Sequence, residues 1–99
     1  MVLEVYRDPR FDKEFLALPP SVRDACWRVM GGLSRRPFAP GIGYQVQRLR
    51  RTPGADAWVV HFYRNSYRLV FTVDGNRLVL IGVGPRPGFY RRLDRLRGM

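Results

Sequence analysis

Three β-prone runs stand almost end to end in the second half of the chain, at 58–64, 67–73 and 77–83, separated only by Asn65-Ser66 and Asp74-Gly75-Asn76. Connectors this short, made of residues that tolerate positive φ, leave successive strands one arrangement, the antiparallel hairpin. A three-stranded β-meander is therefore the feature around which everything else must be placed. Side chains alternate between the two faces of a strand, so two-residue loops put Trp58, Val60 and Phe62 on one face with Leu69, Phe71, Val73, Leu78 and Leu80. That face is the expected core. The other face collects Val59, His61 and Tyr63 with Arg68, Val70, Thr72, Arg77, Val79 and Ile81, a mixed surface expected to be the working one.

The remaining segments supply what covers the core. Residues 2–6 (VLEVY) read as a short strand. Asp8-Pro9 is a helix start, with an acceptor for the free N–H groups and a proline suited to the first turn. Phe11, Phe15 and Leu18 then make one apolar stripe before Pro19-Pro20. A second helix begins near Pro20 or Ser21 and carries Val22, Cys26, Val29 and Leu33 on one face; it weakens at Gly31-Gly32 and must end before Pro37. The stretches 37–43 and 52–57 are too rich in Pro and Gly for regular structure, and 45–51 between them reads as an edge strand with Arg48, Arg50 and Arg51 along it. Phe89, Leu93 and Leu96 predict a short C-terminal helix over 88–97. The expectation is one α+β domain spanning residues 1–99: an antiparallel sheet with a helical hairpin on one face.

Charge and composition narrow the chemistry. Eighteen basic residues against eight acidic ones give +10, and every basic residue except Lys13 is arginine. The guanidinium fork suits bidentate phosphate binding, where lysine offers a point charge. Residues 1–24 are net −1 and residues 25–99 net +11, so the polyanion-binding character belongs to the second helix and the sheet. One cysteine, Cys26, and one histidine, His61, make neither a disulfide nor a Cys/His metal cluster. No metal and no cofactor is expected. The longest apolar runs are a few residues, so the chain reads as a cytoplasmic protein without a membrane partner. Asp8 and Asp12 lack a third acid for a metal nuclease, and Gly82-x-Gly84 lacks the rest of a dinucleotide fingerprint.

The order of elements, the Tyr67-Arg68-Leu69-Val70-Phe71 strand and the run Ile81-Gly82-Val83-Gly84-Pro85-Arg86-Pro87-Gly88-Phe89-Tyr90-Arg91 together resemble the RelE/ParE superfamily of bacterial toxins. The stretch 11–19 (FDKEFLALP) is similar to that family's first helix. The resemblance implies the toxin of a toxin-antitoxin pair, with an acidic antitoxin as partner. Its RelE-like branch cuts mRNA on the ribosome without metal, and its ParE-like branch inhibits DNA gyrase. In the nuclease branch Arg68 and Arg86 would hold the scissile phosphate and Tyr90 would position or activate the reacting nucleotide. The chain departs from the family pattern at Val59, His61 and Tyr63, where nucleases of this type often carry Lys or Arg, and at Pro85, where Lys or His is common. The favoured expectation is the ribosome-dependent endoribonuclease; the alternatives are the gyrase inhibitor and a degenerate binding module.

Metal-free RNA cleavage needs a base for the ribose 2′-OH, an acid for the leaving 5′ oxygen and cations for the phosphorane. His61 is the side chain whose unperturbed pKa lies near neutrality and is the candidate for proton transfer, or else a simply hydrogen-bonded sheet histidine. Arg68, in a central strand, binds phosphate or pairs with a carboxylate. Arg86 between two prolines is a phosphate ligand or a turn residue, and Tyr90 stacks on a base or caps the core. Arg48, Arg50, Arg51, Arg64, Arg77 and Arg91 are the arginines expected to track the RNA backbone.

Overall fold

The computed structural model describes residues 2–36, 45–49, 57–89 and 91. Strand β1 (Glu4–Arg7) leads into helix α1 (Pro9–Leu16). Asp8 caps that helix as its sequence dictates, accepting from the Arg10 N–H at 2.8 Å. Helix α2 (Pro20–Arg35) follows, then β2 (Gln45–Leu49), β3 (Ala57–Phe62), β4 (Tyr67–Asp74) and β5 (Arg77–Pro85). The five strands form one sheet in the order β1-β5-β4-β3-β2, antiparallel throughout except that β1 runs parallel to β5.

Both helical stripes turn inward. Phe11, Leu18, Val22, Cys26, Val29 and Leu33 pack with Val60, Phe62, Leu69, Phe71, Leu78 and Leu80 in one core, with Trp58 and Val73 at its margin. The helix-covered face is thus the one that strand parity assigns. Burial pushes the Cys26 thiol up to about 12, so it serves as a small apolar core group. Helix α2 does not weaken at Gly31-Gly32. Ser34 Oγ donates to the Gly31 carbonyl at 2.8 Å, and Leu3 N–H donates to the Ser34 carbonyl at 2.7 Å. These ties, with Leu33 fully buried, outweigh the roughly 1 kcal/mol by which each glycine disfavours a helix.

The hairpin between β3 and β4 differs from the expected one. A two-residue loop would pair Arg64 with Tyr67, whereas Phe62 pairs with Tyr67 and Tyr63 to Ser66 form a four-residue turn. The register has slipped by two, an even number, so every β3 side chain keeps its face. Tyr63 leaves the sheet; its ring meets Tyr67 edge-on at 5.9 Å and its hydroxyl lies 3.2 Å from Ser21 Oγ at the start of α2. Between β4 and β5 the register shifts by one, with Phe71 opposite Leu80 but Val70 opposite Gly82. Ile81 is the extra residue of this β-bulge, and past it Val83 enters the helix-side core.

The face away from the helices is not the open mixed surface expected from alternation. Ala57, Val59 and Val70 are buried there beneath Phe89, with Ile81 against them, in a second apolar cluster. Polar side chains remain on this face at both ends of the sheet, Thr72 and Arg77 at one and His61 and Arg68 beside the Tyr63–Ser66 turn at the other. Phe89 and Arg91 are helical, while Gly88, the expected first residue of the C-terminal helix, is a turn residue at φ 72°; the rest of that helix, most of the two Pro/Gly stretches, and Tyr90, Arg50 and Arg51 lie outside the described residues.

Candidate functional site

On the helix-free face, three elements converge at one end of the sheet. His61 is the penultimate residue of β3 and lies directly across from Arg68 on β4. Arg68 in turn lies opposite Gly84, whose lack of a side chain leaves the arginine unopposed on β5. Beyond the end of that strand Arg86 donates its backbone N–H to the Ser66 carbonyl at 2.8 Å. Gly88, at φ 72°, lets the chain turn so that Phe89 N–H reaches the Arg86 carbonyl at 3.2 Å. A cleft of about 450 Å³ is lined by Arg64–Tyr67 and Pro85–Pro87, with Arg64 and Arg86 both exposed.

Arg68 and His61 are held in different ways. Arg68 is 5% exposed and its Nη1 donates to the carbonyls of Asn65 at 2.9 Å and Tyr67 at 3.2 Å. A buried guanidinium facing carbonyl oxygens is a third outcome beside the phosphate and the carboxylate weighed from sequence. His61 Nε2 is buried and has no hydrogen-bond partner among the described residues. Burial holds the His61 pKa below its ordinary 6.5, the charges of Arg68 and Arg86 push it further down, and a side-chain hydrogen bond with Asn65 opposes them. The imidazole is therefore neutral at physiological pH, with a lone pair in the field of two guanidinium groups. Strands β3 to β5 carry a single acidic residue, Asp74, at the far end of the β4–β5 hairpin.

The other arginines are dispersed. Arg64 joins the cleft from the turn. Arg48 is exposed and lies opposite Trp58, a residue packed on the helix side, so it belongs to the other face. Arg77 sits at the opposite end of the hairpin from Arg68, its guanidinium over the Tyr6 ring at 5.2 Å. Arg91 is exposed two residues after Phe89. What sequence reasoning missed is the turn itself: Tyr63, Arg64 and Asn65 adopt φ values of 52°, 58° and 67°. Only Asn65 among them is a residue type at home in that region, so the sequence signal was one asparagine.

Among the described residues no group of three or more His, Cys, Asp or Glu side chains could hold a metal ion, and no helix is long and apolar enough to cross a membrane. No protein-family model and no curated protein matches the chain. Solved structures do. An arginine-substituted mutant of the Escherichia coli toxin RelE in the free state aligns with a TM-score of 0.74 at 21% identity, over 100% of this chain and 99% of that one. The archaeal RelE-RelB complex from Pyrococcus horikoshii gives a TM-score of 0.70 at 19% identity over 87% and 97%. The toxin-antitoxin complex RelBE2 from Mycobacterium tuberculosis gives 0.69 at 22% over 87% and 100%. The α+β fold of this chain is the RelE fold.

Proposed function

We propose that the chain is the toxin of a type II toxin-antitoxin pair, a metal-independent endoribonuclease that cuts mRNA on the ribosome in the cytoplasm, with an acidic antitoxin as its cognate partner. The observation that carries this reading is His61: an imidazole kept neutral, its Nε2 unpartnered among the described residues, beside Arg68 and Arg86. The ribose 2′ oxygen attacks the adjacent phosphorus as Nε2 takes its proton, and Arg86 neutralises the phosphorane. The P–O5′ bond then breaks, the 5′ oxygen is protonated by water, and a 2′,3′-cyclic phosphate remains. Tyr90, by its resemblance to the family, positions the reacting nucleotide. Nε2 lies beneath the surface, so RNA has to insert to reach it. That requirement fits a substrate presented in a fixed, strained geometry by a larger machine, because one small domain offers little to bend the strand itself.

The test is a purified translation system containing the free protein and no antitoxin. The expected result is arrested translation, with mRNA fragments ending in a 2′,3′-cyclic phosphate and no requirement for added metal. The same shielding of Nε2 favours a second reading, a ParE-like inhibitor that works by binding alone. Unaffected translation together with blocked gyrase supercoiling would assign the chain to it.

A further inference from the structure

Two arginines are exposed at the cleft, Arg64 and Arg86, and a third, Arg68, is buried with its Nη1 bonded to the Asn65 carbonyl of the turn. We infer that Arg64 is the second cation that grips the substrate phosphodiester, and that Arg68 is a positioning residue that ties down the turn presenting Arg64 in the same cleft as Arg86. The inference rests on the RNA-cleaving reading and changes which side chains touch the strand.

The turn needs a tie. Three consecutive L residues, Tyr63, Arg64 and Asn65, hold positive φ, a backbone each adopts at a cost because Cβ approaches the following carbonyl. Such a segment persists when its surroundings over-determine it, and strain of this kind clusters at functional sites. Here the turn is held from three sides. Arg68 Nη1 bonds the carbonyl of Asn65 inside the turn and that of Tyr67 at its exit. The Arg86 N–H bonds the Ser66 carbonyl. Tyr63 is anchored to Tyr67 and to Ser21 of α2. Arg68 is 5% exposed with its Nη1 already committed to two carbonyls, whereas Arg64 and Arg86 are exposed and line one cleft. Two forks converging on one phosphodiester supply both charge and orientation.

A double-mutant cycle tests this, using the full chain, a labelled single-stranded 2′-O-methyl oligoribonucleotide that cannot be cleaved, and fluorescence anisotropy over a salt series. Glycine accepts the left-handed backbone, so Arg64→Gly removes the guanidinium while leaving the turn relaxed. It should bind about tenfold more weakly, with a salt dependence lower by about one phosphate contact, at an undiminished urea midpoint. Arg68→Gln should weaken binding in the natural background but by less than about twofold in the Arg64→Gly background, with no further change of salt slope. Losses that add, or a second drop in slope, would overturn the inference, as would Arg64→Gly binding like the natural chain. Should Arg68→Gln not fold, the Arg64→Gly affinity and slope alone decide. Coupling without ribosomal cleavage would uphold these roles and sink the nuclease reading; cleavage with additive losses would do the reverse.

Discussion

The carboxylate of Glu14 accepts the backbone N–H of Val83 at 3.2 Å, joining α1 to the last strand. Strand β1 pairs with β5 only as far as Leu80, and past that point no strand among the described residues lies on this side of β5. The helix supplies an acceptor in its place. Glu14→Ala should lower stability by about 1 to 3 kcal/mol, the cost of leaving a part-buried N–H unpaired, and Glu14→Gln, which keeps an acceptor oxygen, by less. Urea unfolding at constant m-value measures both. Equal losses from the two variants would mean that the bond to Val83 is not what Glu14 contributes.

Leu69 is fully buried between the helices and the centre of the sheet. Leu69→Ala should cost about 2 to 5 kcal/mol through lost transfer energy and an incompletely collapsed cavity. Chemical denaturation would show it, and a loss below 1 kcal/mol would contradict the packing of this face.

His61 makes stability depend on pH with a definite sign. Its folded pKa is lowered from 6.5, so between the folded and unfolded values the unfolded chain holds a proton that the folded chain lacks. Stability is complete above about 6.5 and falls as the pH drops through the lowered folded pKa. His61→Gln should remove this segment of the pH dependence, which paired unfolding curves at several pH values would reveal. The acid limb of the cleavage rate should rise through an apparent pKa below 6.5, since the base must be unprotonated.

Cleavage should depend more on cation than on base. In the proposed reaction Arg86→Ala would remove the exposed guanidinium that meets the developing phosphorane, whereas His61→Ala would remove proton transfer, typically worth ~10² to 10⁴-fold. Single-turnover cleavage on stalled ribosomes ranks the two. A variant lacking Arg86 that cuts faster than one lacking His61 would place the phosphate elsewhere.

The helices, the three-stranded meander and the core face were legible because periodicity and parity survive small errors, whereas the parallel placement of β1 beside β5 was not. The β3–β4 loop is two residues longer than expected, yet Trp58, Val60 and Phe62 stay inward because an even slip preserves parity. The bulge at Ile81 was not legible, since a one-residue insertion leaves no mark in an apolar run; it is what turns Val83 inward. At the site, the convergence of His61, Arg68 and Arg86 followed from strand parity and the family resemblance. The burial of Arg68 and the left-handed course of Arg64 did not. Both depend on how a turn closes over a guanidinium, which no local pattern encodes. The second apolar cluster was hidden for a similar reason: Val59 and Val70 are covered by Phe89, from beyond the meander.

The parallel pairing of β1 with β5 sets an order of events during synthesis. Glu4 waits for Arg77, which at about 5 to 20 residues per second takes the ribosome roughly 4 to 15 s to add. The helical hairpin can form in that interval, but the sheet its apolar faces need cannot yet close, and contacts so distant along the chain form slowly. Arg86 emerges later still, beyond the strand that locks the sheet. The cleft needs Pro85–Pro87 as well as Arg64–Tyr67, so a nascent chain passes most of its synthesis without that surface.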